Sequence, residues 1–276
     1  MRNLAIRTVS GAIYVLLVSA SILGGPYSFL SIFALITGLS LWEFYRMLEK
    51  NTDIRIDKMV ATMAGIWLFL SSFAGFSGIL PMRYMALWFV FMLYLLIREL
   101  FSGDSNAFRD LVYTFFGQLY IALPLSFMTR MGFQSDTYGA NQYVFVYLMS
   151  FFALLWVYDT GAYLVGSLLG KHKLMERISP KKSWEGFVGG LVLALLSSVV
   201  IHYFFPTTMG LFQWLGFALI IVVFGTWGDL VESMMKRSVQ VKDSGNLIPG
   251  HGGILDRLDS CLLAAPAAVL YLLFFV

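Results

Sequence analysis

Residues 143–169 read YVFVYLMSFFALLWVYDTGAYLVGSLL, twenty-seven positions with one charged side chain, Asp159. A helix needs about 20 apolar residues to cross the hydrocarbon core of a bilayer, and this run exceeds that. Working outward, runs of the same character occupy 8–23, 27–45, 59–76, 83–98, 110–129, 185–205, 211–229 and 260–276. The whole chain agrees with its parts. Its 276 residues are 59% hydrophobic and 13% charged, with a mean hydropathy of +0.77, whereas soluble domains carry about 25% charged residues. Disorder, a collagen-like fibre and a disulfide scaffold are excluded, the last because Cys261 has no second cysteine to pair with. The expected fold is all-α: one polytopic integral membrane domain over 1–276 with about nine transmembrane helices. Met1–Leu23, with Arg2 and Arg7 ahead of an apolar stretch, also has the form of a signal peptide. Eight further runs favour reading it as the first span.

Nine spans place the termini on opposite sides, and loop cations test the count, because cytoplasmic loops collect Lys and Arg. The side holding the N-terminus and the loops after spans two, four, six and eight receives seventeen of the nineteen cations; the other side receives Arg83 and Arg130. The N-terminus is therefore expected in the cytoplasm. Two of the loops on that side stand out. Segments 171–185 and 229–259 hold sixteen of the thirty-five charged residues in forty-six positions. Helix connectors usually need about 2–8 residues, so a 31-residue polar excursion needs a chemical reason. These two segments are expected to form the active site.

The acids suggest what that chemistry is. Asp229 and Glu232 stand three apart, as do Asp256 and Asp259, a spacing that shares a helix face. One reading makes them charged helix ends paired with Lys236, Arg237 and Arg257; two pairs flanking one glycine-rich loop favour a metal site. Carboxylates suit Mg²⁺, Mn²⁺ or Ca²⁺, and the scattered His172, His202 and His251 do not suit zinc. Mg²⁺ fills its octahedron with water and substrate phosphates around one or two carboxylates, which points to a phosphate-bearing substrate. Lys181, Lys182, Lys236, Arg237 and Lys242 match polyphosphate oxygens. Attraction to anionic lipid is the plainer account of such cations, but 229–259 interleaves four cations with five acids. The run Pro249-Gly250-His251-Gly252-Gly253 lets backbone N–H groups approach an anion, or simply makes a turn. Gly166…Gly170 and Gly186…Gly190 fit close packing of small residues between helices. Asp159, a carboxylate inside an apolar run, is functional by default unless it is protonated and satisfied by Thr160 or a neighbouring helix.

The stretch 233–259, SMMKRSVQVKDSGNLIPGHGGILDRLD, resembles without departure the signature of the phosphatidate cytidylyltransferases, or CDP-diglyceride synthases. Ser179–Glu185 (SPKKSWE) and Asp159-Thr160-Gly161 are similar to two further elements of that family. The resemblance implies that CTP and phosphatidic acid give CDP-diacylglycerol and pyrophosphate, with Mg²⁺ as one ion or two. It implies a multi-pass protein of the cytoplasmic (inner) membrane, active on the cytoplasmic side and working as a homodimer, with no nucleic-acid partner. By the same resemblance Asp229, Asp256, Lys236, Arg237 and Asp259 carry catalysis, Asp229 and Asp256 as metal ligands. Ser179, Lys181, Lys182, Ser233, Lys242, Asp243, His251, Gly252, Gly253, Arg257 and Asp159 bind substrate. Two alternatives stay open. A CTP-dependent lipid kinase would need a base for its hydroxyl nucleophile, Asp159 or Asp243. A transporter for an anionic solute would be expected to show inverted repeats, and the halves of this sequence look unlike.

Overall fold

The computed structural model describes residues 2–103, 105–135, 141–248 and 252–276, with residues 2–7 and 135 described by backbone alone. Among the described residues the chain is helical wherever the sequence has an apolar run, and its strands are confined to two short antiparallel hairpins. It divides into two compact units.

The first unit comprises residues 1–145 and 239–258. It contains α1 (Arg2–Leu23), α2 (Pro26–Asn51), α3 (Lys58–Phe76), α4 (Leu87–Leu100), α5 (Ala107–Gly117) and α6 (Leu123–Gly132). The hairpin of β1 (Phe133–Ser135) and β2 (Asn141–Tyr143) follows, and the polar segment 239–258 completes the unit. Pro26 opens α2 at the one helical position where a missing N–H costs nothing. Asp57 caps α3 by accepting a hydrogen bond from Val60 N at 3.2 Å. Between α5 and α6 the helix widens into a π turn, Gln118–Ala122, just ahead of Pro124, whose ring cannot be accommodated in a regular α turn. Gln118 is fully buried there. Its amide donates to Tyr45 Oη at 2.9 Å and the Ala61 carbonyl at 2.7 Å, and accepts from Trp88 Nε1 at 3.1 Å. One satisfied side chain thus ties α2, α3 and α4 to the π turn. Elsewhere in the unit Phe29 packs its ring on Phe33 and Phe69, and these with Leu41 and Phe44 are buried.

The second unit comprises residues 146–238 and 259–276. Its elements are α7 (Phe145–Leu169, less the first residue), β3 (Lys173–Met175), β4 (Ser179–Ser183), α8 (Trp184–Phe204), α9 (Leu211–Ser238) and α10 (Asp259–Phe275). The glycine spacing acts here as the sequence suggests. A Cβ on Gly186 of α8 would stand 2.7 Å from the Ala162 carbonyl oxygen and 3.1 Å from Gly166 Cα on α7, so the two backbones touch only because the side chains are absent. Tyr158 Oη meets Thr226 Oγ1 at 2.5 Å, joining α7 to α9. Gly228 allows α9 to lie against the start of α10, where its Cβ would be 3.2 Å from the Ser260 carbonyl oxygen.

Among the described residues six helical stretches are long and apolar enough to cross a membrane: α2, α3, the continuous Ala107–Gly132, α7, α8 and α9. Thr8–Leu23 and Asp259–Phe275 are apolar but shorter. The run expected at 83–98 is a 3₁₀ turn, Met82–Ala86, followed by the 14-residue α4, about 21 Å of helix at 1.5 Å per residue. The described structure therefore supports an all-α membrane protein with six full-length candidate spans.

Candidate active site

The acids and lysines of the second unit gather where α9 ends. Glu232 and Ser233 stand three and four residues after Asp229, and Lys236 stands four and three after them, one stripe of the helix. Lys182 Nζ, from β4, reaches Asp229 Oδ2 at 2.5 Å. Ser233 Oγ donates to Asp229 Oδ1 at 3.2 Å. Lys236 Nζ lies 3.0 Å from Glu232 Oε1, with Glu232 buried. Asp259, at the head of α10, is near enough to Asp229, Lys182 and Lys236 to feel their charges. Three carboxyl groups thus meet two ammonium groups, an oxygen-rich set of side chains of the kind Mg²⁺ takes.

The hairpin that carries Lys182 is held shut by Glu185. Its carboxylate accepts from the Lys171 and His172 backbone N–H groups at 3.1 and 3.2 Å and meets His172 Nδ1 at 2.6 Å. Ser183 caps α8 through a 3.2 Å bond from Gly186 N. Strand alternation then separates neighbouring lysines: Lys182 is half-buried against Asp229 while Lys181 is exposed.

The first unit holds a second cluster of acids with different partners. Asp256 Oδ2 accepts from Ser244 N at 2.9 Å, Ser244 Oγ at 3.0 Å and Gly253 N at 2.8 Å. Glu43, buried on α2, has Oε1 2.7 Å from Ser244 Oγ, so that the one hydroxyl proton is shared between it and Asp256, and accepts from Ile254 N at 2.8 Å through Oε2. The two carboxylates staple the polar segment into a tight loop. Gly252 takes a φ of +84°, a left-handed conformation suited to glycine, and bridges back to Ile248, whose N–H donates to its carbonyl at 2.9 Å. A Cβ at Gly253 would collide with Glu43 Oε1.

These observations meet a clear relationship. Residues 5–275 match the model of the cytidylyltransferase family. The chain belongs to the cytidylyltransferase family. It is 33% identical over 263 residues to the phosphatidate cytidylyltransferase of Staphylococcus haemolyticus (strain JCSC1435), covering 95% of this chain and 96% of that one. It is likewise 33% identical over 267 residues to that of Bacillus subtilis (strain 168), covering 94% of each. Against the Staphylococcus aureus (strain COL) phosphatidate cytidylyltransferase the identity is 40% over 165 residues, and the match spans 60% of the length of each chain.

In this cytidylyltransferase-family chain the residues expected from sequence divide between the units. Lys182, Asp229, Ser233, Lys236 and Asp259 gather in the second. Arg237 is exposed in the last turn of α9, and Ser179 and Lys181 lie on β4. Asp159 lies exposed on α7, and Thr160 Oγ1 donates to the Trp156 carbonyl at 2.7 Å. In the first unit Asp256, Gly252 and Gly253 build the loop, with Lys242 and Asp243 exposed on it. Arg257 sits in a 3₁₀ turn, its carbonyl accepting from Tyr14 Oη at 3.1 Å. His251 lies outside the described residues. Glu43 was not anticipated. Its signal was present: a carboxylate inside the apolar run 27–45, the same anomaly that singles out Asp159.

Among the described residues no three His, Cys, Asp or Glu side chains gather into a complete metal cage. Mg²⁺ does not require one. The carboxylate oxygens of Asp229 and Asp256 are donors of the kind that ion takes. Asp256, expected with Asp229 to be a ligand, accepts through Oδ2 from Ser244 and from Gly253 N.

Proposed function

We propose that the protein is a Mg²⁺-dependent phosphatidate cytidylyltransferase of the cytoplasmic membrane. It takes CTP and phosphatidate and releases CDP-diacylglycerol and pyrophosphate. The observation that carries this reading is the Lys182–Asp229 pair with Asp259 and Lys236 beside it, in a chain of the cytidylyltransferase family whose relatives bear that activity in their names.

A phosphate-monoester oxygen of phosphatidate attacks the α-phosphorus of CTP, the bond to the α–β bridging oxygen breaks, and pyrophosphate leaves. The attacking group has a second pKa near 6 and arrives largely ionised, so no side chain need remove a proton. The task is to bring two polyanions together in line and to stabilise charge as it shifts to the leaving group. Lys182 and Lys236 are held by Asp229 and Glu232 in fixed positions, ready to exchange a carboxylate for a phosphate oxygen. Arg237, Lys242 and Lys181, exposed, would draw the triphosphate in. Asp229 and, by the family resemblance, Asp256 would hold Mg²⁺, which would supply charge neutralisation at the phosphates. Glu43 and Asp256 keep the loop of Gly252 and Gly253 in shape so that its backbone N–H groups can face nucleotide oxygens.

The remaining topology belongs to the same proposal. Nine spans, the N-terminus and both polar segments in the cytoplasm, and a homodimer are supported by the one-sided cations and by the family resemblance. The reaction is tested with the detergent-purified protein, phosphatidate, Mg²⁺, and CTP labelled separately at the α and γ phosphates. The proposal expects α label in the lipid and γ label in pyrophosphate. Label entering lipid from the γ position would mean a kinase, and no labelled lipid from either would remove the enzyme altogether.

A further inference from the structure

The lysine that meets Asp229 is carried on a support with little strength of its own. β3 and β4 are three and five residues long, and their register slips between Lys173 and Met175. A two-stranded hairpin is marginally stable when isolated, so its orientation has to be set where it joins the helices. There the ladder closes with Lys173 opposite Ser183, and Trp184 N donates to the His172 carbonyl at 2.9 Å. A Cβ on Gly170 would stand 2.7 Å from Ser183 Oγ, so the chain leaving α7 lies close against the end of β4. Glu185 reaches across this base. From the first turn of α8 its carboxylate turns back to the Lys171 and His172 backbone N–H groups and to the His172 ring. A carboxylate has no proton to give, so the ring carries its proton on Nδ1.

We infer that Glu185 is a positioning residue for cytidylyl transfer, clasping the base of the hairpin so that Lys182 stands opposite Asp229; the inference rests on the proposed function. Lys182 directly precedes Ser183 and lies three residues before Glu185, so a pivot at the base is passed straight to its Cα. A lysine has a long, flexible stem, and it presents its ammonium at one point only when its backbone is fixed. Without the clasp, Lys182 would follow its exposed neighbours Lys173, Arg177 and Lys181 into solvent. Glu185 spends its oxygens on Lys171 and His172, so it acts through Lys182 and not on the substrate. His172 is the lesser partner, because the two backbone donors remain when its ring is removed.

The clasp is tested by a double-mutant cycle read out as transfer of α label from CTP to phosphatidate. Glu185→Ala should lower kcat/KM about tenfold, within the roughly 10²-fold that a 1 Å misplacement can cost. Glu185→Gln, which keeps one oxygen for the backbone N–H groups, should recover part of that loss. His172→Ala should lose less than threefold. The deciding variant is Glu185→Ala combined with Lys182→Gln. With the ammonium already gone, the second substitution should cost less than twofold more, because residues that act as a unit are not additive. A Glu185 that only stabilised the fold would multiply its full tenfold onto the Lys182→Gln loss. Where Glu185→Ala does not fold, Glu185→Gln carries the same cycle. Multiplied losses, a parental rate for Glu185→Ala, or a Lys182→Gln variant as active as the parent would overturn the inference while leaving the reaction intact. Absence of transfer by the parent protein would instead remove the reaction, and the inference with it.

Discussion

Two groups of acids, one in each unit, put the same side chains to opposite uses. Glu43 and Asp256 of the first unit accept from backbone N–H groups and the Ser244 hydroxyl. Asp229 and Glu232 of the second unit face ammonium groups, Lys182 and Lys236. A carboxylate saturated by backbone donors fixes the shape of a loop. A carboxylate opposite an ammonium group, with a further acid nearby, forms a switchable charge cluster that can trade partners when phosphate and metal arrive. The difference teaches that acids of one signature can have different partners and so different tasks. The partners of their oxygens decide.

The largest effect that would sharpen this contrast is expected at Asp229. Asp229→Asn should lower cytidylyl transfer by about 10²–10³-fold, the scale on which removing one preorganised electrostatic group acts. Its unfolding midpoint should move little, because Asp229 is only half-buried and Asn keeps an oxygen for Ser233. Lys182→Gln should cost about 10²-fold in kcat/KM, measured against CTP. Lys182→Arg should restore only part of it, since the guanidinium fork does not reproduce a point charge at 2.5 Å from Asp229.

In the first unit the order of effects reverses. Glu43→Ala leaves Ile254 N without that acceptor and Ser244 Oγ with Asp256 alone, and a buried donor left unmade costs about 1–3 kcal/mol. Its unfolding midpoint should drop, and limited proteolysis within 239–258 should accelerate. Gly253→Ala should reproduce that loss of protection, because its Cβ competes with Glu43 Oε1 for the same space. Proteolysis of both variants at the parental rate would break the comparison. The smallest effect is expected at exposed Lys181, where Lys181→Ala should lower kcat/KM by less than threefold, with the loss shrinking as salt rises.

Much of this was legible in the sequence because its rules are local. Apolar runs located every long helix, and the spacing of Asp229, Ser233 and Lys236 put them on one face. The glycines of α7 and α8 announced a close approach that the structure contains. Other features depend on what the fold brings together. Glu43 is two hundred residues from Ser244, and no local pattern connects them. Lys182 and Lys181 are indistinguishable until a hairpin turns one toward Asp229. The π turn at Gln118–Ala122 answers a proline whose effect depends on the neighbours that fill the widened turn. Asp256 could be recognised as important from its motif, but its task of holding Ser244 and Gly253 required the loop to be seen closed.

The most direct test of the division of labour measures turnover and unfolding midpoint on the same purified samples of Asp229→Asn and Glu43→Ala. The account predicts that Asp229→Asn is nearly inactive with a parental midpoint. It predicts that Glu43→Ala unfolds at lower temperature and yields early to protease within 239–258. An active Asp229→Asn, or a Glu43→Ala of parental stability and protection, would contradict it.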